Sequence, residues 1–140
     1  MTIDEIQNKI IEEFSIFEDW MDKYNYLIEL GRDCPIINEK DKTEANLING
    51  CQSRVWVNAE LIDGKMDIKA DSDAVITKGI ITLLLRVFNH QTPKDVYESE
   101  VFFIEKIRLS THLSPTRSNG LLAMVKQIKL YALAFMSVNK

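Results

Sequence analysis

The chain is short of the residues from which most metal and redox sites are built. Among its 140 residues are two cysteines, Cys34 and Cys51, and two histidines, His90 and His112. They form no C-x-x-C or H-x-x-x-H pair, so the compact ligand spacing of a zinc site is missing. An all-cysteine iron–sulfur cluster takes about four thiolates, and a thioredoxin-like dithiol takes a C-x-x-C pair. The glycines, Gly31, Gly50, Gly64, Gly79 and Gly120, are scattered and make neither G-x-G-x-x-G nor G-x-x-x-x-G-K, which excludes the common phosphate loops.

Positive charge is also in short supply. The net charge is −4, the wrong sign for a nucleic-acid stripe or for attraction to an anionic membrane. The first residues, Met1-Thr2-Ile3-Asp4-Glu5, are acidic and lack the features of a secretory leader. The longest apolar run, Ile80 to Phe88, contains Arg86 and is too short to span a bilayer. The expectation is a soluble, cytoplasmic chain in which Cys34 and Cys51 stay reduced instead of forming a structural disulfide.

What is present suffices for one domain, residues 1–140, with a core that needs no staples: 46% of the residues are hydrophobic. Thr2 and Glu5 form a capping box ahead of Ile3, Ile6, Ile10 and Phe14, which recur at helical spacing. A second helix is expected over Ile16 to Leu30, with Gly31 just past its end and Pro35 stopping it. Asn38 to Asn46 is polar, and a short strand over Ala45 to Ile48 follows.

The strongest local signal is Asp63-Gly64, a two-residue hairpin turn between Arg54–Ile62 and Lys65–Ala70. Pairing across it sets Leu61 against Met66, Ala59 against Ile68 and Val57 against Ala70 on one apolar face. Trp56, Asn58, Glu60, Asp67 and Lys69 fall on the other. Trp56 is out of place there, and covering the sheet edge is its expected role. Asp71-Ser72-Asp73-Ala74 reads as a turn and helix cap, followed by a buried helix over Ala74 to Asn89. Gly79 inside that helix costs about 1 kcal/mol against alanine, which points to another backbone packed against it. Thr92-Pro93 opens a further helix, Phe103 to Leu109 a short one, and Ser114-Pro115 the last. Met124, Val125, Ile128, Tyr131, Ala132 and Phe135 make one apolar face on the last helix. Helices, a small antiparallel sheet and more helices define an α+β fold in which the sheet packs against helices.

Cys51 follows the turn dipeptide Asn49-Gly50 and precedes an alternating strand. The thiol is therefore expected at a loop tip held by a rigid element. Structural cysteines more often lie inside apolar runs, and because buried free cysteine is common Cys34 reads as a packed or partly exposed bystander. Neither histidine is paired with Cys51 in sequence, which leaves a Cys–His hydrolase weakly supported. A lone thiol can still attack a disulfide or persulfide without a second cysteine or a cofactor. Asp71 and Asp73 fit helix capping and dipole complementation as well as an acid–base role.

Gly50-Cys51-Gln52-Ser53-x-Val55-Trp56 resembles the active-site motif of the SufE family. Tyr24-x-Tyr26-Leu27-Ile28-Glu29-Leu30-Gly31 resembles that family's second helix. Ala70-Asp71-Ser72-Asp73-Ala74 with Lys78-Gly79 resembles the segment after its hairpin, and Leu113-Ser114-Pro115-Thr116-Arg117-Ser118-Asn119-Gly120-Leu121 the start of its last helix. The resemblance runs from about Phe14 to Tyr131.

It implies a SufE/IscU-like fold and a sulfur-transfer accessory protein in place of a stand-alone enzyme. Cys51 would take persulfide sulfur from a SufS-type cysteine desulfurase, stimulate that enzyme, and deliver the sulfur to the SufBCD scaffold for iron–sulfur cluster assembly. Pyridoxal phosphate belongs to the desulfurase, so no cofactor or metal is assigned to this chain. Gln52, Ser53, Asp71, Asp73 and Arg117 are the candidates for docking the partner or supporting the loop. The related CsdE proteins, which serve a CsdA-type desulfurase, share the pattern. A regulatory module that binds a desulfurase without carrying sulfur is the alternative. Monomer and homodimer both remain open.

Overall fold

Asp63 and Gly64 both take positive φ, 51° and 79°, the conformation that matches a two-residue turn to the twist of its strands. The strands they join are β1 (Val55–Ile62) and β2 (Lys65–Ser72). The register sets Leu61 against Met66, Ala59 against Ile68 and Val57 against Ala70, as the apolar alternation requires. Val55, Val57, Ala59, Met66, Ile68 and Ala70 are buried. The computed structural model describes residues 1–48, 53–107 and 115–138, with the backbone alone at 115–119.

Six α-helices accompany this hairpin among the described residues: α1 (Ile3–Ser15), α2 (Trp20–Gly31), α3 (Val75–Phe88), α4 (Pro93–Glu98), α5 (Phe103–Lys106) and α6 (Pro115–Val138). The α+β expectation holds. The α3 helix is the centre: Ile80, Ile81, Leu83, Leu84, Leu85, Val87 and Phe88 are all buried, because the helix is packed by α1, α2, α6 and β2. Gly79 sits where α3 meets α2, and a Cβ there would stand 2.2 Å from the Leu27 carbonyl oxygen. Gly31 faces the same crossing, with its own missing Cβ 3.1 Å from Gly79 N.

Several expected boundaries move for identifiable reasons. The α2 helix begins at Trp20 instead of Ile16, because the Asp19 carboxylate accepts from Met21 N–H and caps it there. Gly31 is the last residue of α2, and Arg32 caps the end. Gly31 is small for the sake of the α3 contact and not to turn the chain. The segment Ala45–Ile48 is no strand. Glu44–Asn46 forms a 3-10 turn, and one bridge, Leu47 with Trp56, joins it to β1. Asp71 and Ser72 lengthen β2 by pairing with Trp56 and Val55. The α3 cap position falls to Ala74, which makes no side-chain capping bond. The α5 helix stops at Lys106, with Ile107 at its cap, and Arg108 and Leu109 of the expected stretch lie outside the described residues.

The outer edge of β2 is closed without a third strand. Asn89, at the end of α3, presents its side-chain amide to Ile68: Oδ1 accepts from Ile68 N–H at 2.6 Å, and Nδ2 donates to Ile68 O at 3.1 Å. On either side, Met66 N–H donates to Gln91 O at 2.9 Å and Ala70 N–H to Pro35 O at 2.9 Å. His90 takes φ 65° to make the turn.

Two polar contacts tie the helices together. Buried Gln7 accepts from Phe102 N–H at 2.8 Å and donates to Glu100 O at 2.9 Å, fixing α1 to the entry of α5. Glu13 receives both Arg86 Nη atoms and, at 2.7 Å, the Tyr26 hydroxyl. Those bonds hold the Glu13 carboxyl below its ordinary range against the opposing effect of burial. A depressed carboxylate stabilises the fold above its unfolded pKa of about 4.3, and the contribution is lost as pH falls through the folded value. Glu13→Gln is therefore expected to cost about 1 kcal/mol at neutral pH. The gap to wild type should close below about pH 4, as read from urea midpoints across pH. A gap independent of pH would assign the loss to packing.

In α6, Leu121, Met124, Ile128 and Ala132 face the core. The stretch Gly120–Val138 has a mean hydropathy of 1.5 and is long and apolar enough, by composition, to cross a membrane. One such helix is weak support for a span, since core helices pass the same test, and this one packs against α3, α4 and β1.

Candidate functional site

The loop that carries Cys51 joins two described ends, Ile48 and Ser53. Cys51 and Gln52 lie outside the described residues, as does the side chain of Arg117 on the first turn of α6. Ser53, Asp71 and Asp73 gather around the base of this loop, where β1 begins, β2 ends and α3 starts.

On the outgoing side, the Ser53 hydroxyl shares a 3.1 Å hydrogen bond with that of Thr77, on the first turn of α3. Arg54 N–H donates to the Asp73 carboxylate at 3.0 Å, and Asp73 N–H returns a bond to Arg54 O at 3.3 Å. Asp73 thus fixes the strand entry and does not cap α3. On the incoming side, Ile48 N–H donates to Val55 O at 2.8 Å.

Asp71 points to the opposite face of the hairpin from the core. Its carboxylate meets Lys42 Nζ at 2.8 Å and Lys78 Nζ at 3.4 Å, and accepts from Ser72 N–H at 2.8 Å. Burial alone would raise its pKa. Lys42, the Ser72 amide and Lys78 together outweigh that and hold it below the usual range. The hydrogen bonds to Asp71 and Glu39 raise the Lys42 pKa in turn. Lys42 Nζ also lies 5.2 Å from the centre of the Trp56 ring, within cation–π range. The unexpected tryptophan is therefore covered from within the chain.

Sequence reasoning missed the contacts of Thr77 with Ser53, of Lys42 with Asp71 and of Tyr131 with Asn46. They join residues 24, 29 and 85 apart in sequence, which leaves no periodic trace. Lys42 came nearest to being visible, as a cation in the polar stretch before the cysteine.

The other thiol differs in kind. Cys34 is buried, with Sγ 3.6 Å from Ala70 O and 3.8 Å from Pro35 O. Burial pushes its pKa up, with the Thr82 hydroxyl and Lys78 offsetting only part of the rise. A neutral, enclosed thiol is a poor nucleophile. Among the described residues, no three Cys, His, Asp or Glu side chains converge as a metal site would require.

The overall shape recurs in the solution structure of a hypothetical protein from Thermus thermophilus. The two align with a TM-score of 0.78 over 94% of this chain and 96% of that one, at 19% identity. At that identity the likeness speaks for the fold alone. A sequence model of the SufE family, described as an Fe-S metabolism associated domain, matches residues 8–132. The chain belongs to the SufE family, and its function lies in iron–sulfur metabolism.

Proposed function

We propose that residues 1–140 act as one SufE-like domain that accepts persulfide sulfur on Cys51 from a SufS-type cysteine desulfurase, stimulates the desulfurase by removing that product, and passes the sulfur to a SufBCD scaffold. The observation that carries this reading is the family match over residues 8–132, which includes the Gly50-Cys51-Gln52-Ser53 motif.

The chemistry is thiol exchange. The Cys51 thiolate attacks the terminal sulfur of the donor persulfide. A new S–S bond forms on Cys51, the donor S–S bond breaks, and the donor cysteine leaves as a thiolate. A donor thiol of low pKa speeds its departure. The electron count is unchanged, so neither oxidant nor reductant is needed. Cys34 cannot compete, because its thiol is enclosed and held protonated. The reading assigns the chain to the cytoplasm, where an uncombined thiol persists. Ser53, Asp71 and Asp73 support the loop base in this reading. Gln52 and Arg117 are the candidates for contact with the partner.

The test is intact mass after incubation with a SufS-type desulfurase and cysteine. A sulfur adduct on Cys51 is expected, removed by reductant and absent in Cys51→Ser. Desulfurase stimulation without any adduct would replace the carrier with a regulatory module. Turnover of a substrate with no desulfurase present would point to a hydrolase instead.

A further inference from the structure

The last helix is apolar on both faces, but the described chain covers only one of them. Leu121, Met124, Ile128 and Ala132 are buried. On the other side Leu122, Lys126, Leu130, Leu133 and Ser137 follow the i, i+4, i+8, i+11, i+15 spacing of a single stripe. Leu122 keeps 72% of its exposure, Leu130 49% and Leu133 40%. A helix apolar all round is ordinarily enclosed, and a continuous exposed apolar surface marks a place of contact. Leu122 also belongs to a cleft of about 370 Å³ between α5 and α6, lined by Val101, Ile104 and Val125 together with Glu105 and Lys129.

Charge selects the occupant. Asp and Glu outnumber Lys and Arg by 21 to 17 in the chain, yet Pro115–Val138 contains no carboxylate side chain. Lys126 is exposed on the stripe and enters no ion pair among the described residues. Lys129, beside the stripe, donates to Ser99 O. A second copy would set cations against cations. A bilayer is flat, with nothing to fill a concave seat, and an anionic one is opposed by the net charge of −4. An amphipathic helix with acidic flanks suits every feature. Its apolar side chains lie along the leucines, one of them enters the cleft, and its carboxylates face Lys126 and Lys129.

We infer that the outer face of α6 is a docking groove for an acidic amphipathic helix of a protein partner. The inference is independent of sulfur transfer, so it stands or falls apart from the carrier reading.

The probe is a fluorescein-labelled synthetic peptide of about five helical turns, with leucine at i, i+4, i+7 and i+11 and glutamate on both flanks. A twin peptide carries lysine in place of glutamate. In fluorescence anisotropy with the full chain, the acidic peptide should bind at least tenfold more tightly than its twin, a gap of roughly 1.4 kcal/mol that narrows as salt is raised. Lys126→Glu should weaken the acidic peptide and strengthen the basic one. Leu130→Glu combined with Leu133→Glu should weaken the acidic peptide about tenfold or more. Both leucines are exposed, so circular dichroism melts should match wild type. Ile16→Glu, at an exposed apolar position outside α6, should leave binding unchanged. Failure of the acidic peptide to bind, equal affinity for the two peptides, or affinity unmoved by the leucine substitutions would overturn the inference. Flotation of the chain with phosphatidylglycerol vesicles, lost in the leucine variant, would reassign the face to a membrane. A dimer in sedimentation equilibrium that the leucine variant dissolves would reassign it to a second copy.

Discussion

Gly79→Ala is expected to destabilise the protein by about 4 kcal/mol, at the upper end of overpacking costs, and to lower its melting temperature by about 12 °C for a chain of this size. On an open helix the same change would be favourable by about 1 kcal/mol, since glycine is the poorer helix former. Here the added methyl would sit 2.2 Å from the Leu27 carbonyl oxygen and 2.8 Å from its carbon. Those atoms are backbone and cannot rotate aside. Relief requires α2 to withdraw from α3, and Leu27, fully buried on that face, loses its packing with it. The Gly31 side of the crossing offers no slack, because its own Cα–H already faces Gly79 N. Thermal unfolding followed by circular dichroism decides the matter. A variant melting within about 2 °C of wild type would show that the two helices part without penalty.

The second large effect concerns Asn89. Asn89→Ala leaves both the N–H and the C=O of Ile68 without the partners they have in the native fold. An unsatisfied buried backbone group costs about 1–3 kcal/mol, and water at the half-buried Asn89 position recovers part of that, giving about 3 kcal/mol in all. A second substitution tests the mechanism. Asn89→Asp retains an acceptor for Ile68 N–H but turns a carboxylate oxygen toward Ile68 O. Only the protonated acid can donate there, so folding raises the pKa of the introduced carboxyl. Relative to the ionised form, the protonated form is favoured in the fold. Its stabilising bond is present below the unfolded pKa of about 3.9 and lost as pH rises through the folded value. Asn89→Asp should approach wild-type stability near about pH 3 and fall away toward neutrality. Urea midpoints at two pH values suffice, and equal deficits at both would exclude the donor role. Loss of the amide also bares the edge of β2, which invites strand pairing between molecules, so the alanine variant should show increased light scattering on warming.

The parts of the fold that were legible in the sequence are those written in local chemistry. Asp63-Gly64 with alternation on both sides fixed the hairpin register, because a slip of one residue would expose the whole apolar face. Thr2 and Glu5 placed the start of α1, where both capping bonds form. Gly79 announced a close approach, though not that Leu27 was the neighbour. What escaped was chemistry between distant segments. Asp71 and Ser72 have capping side chains, yet they continue β2, since Lys42 and Lys78 give Asp71 a better partner than a helix end would. Asn89 at the end of α3 looks like any helix terminus until β2 is beside it. At the candidate site, the motif pointed to Cys51 and its flanks, of which Cys51 and Gln52 lie outside the described residues. The scaffold around Ser53 and Asp73 depends on Thr77 and Arg54, which no spacing rule connects to a cysteine loop.

The bond from Tyr131 to Asn46 spans 85 residues of sequence, and this gives the protein a schedule as well as a shape. At about 5–20 residues per second, a ribosome adds the tyrosine roughly 4–17 s after the asparagine. The hairpin, whose pairing is local, can form in microseconds and wait. The segment around Asn46 is thus synthesised early and receives its α6 tie last. A chain halted before α6 would hold the hairpin and the segment that leads into it but would lack that anchor, so the last helix closes what the first half of the chain began.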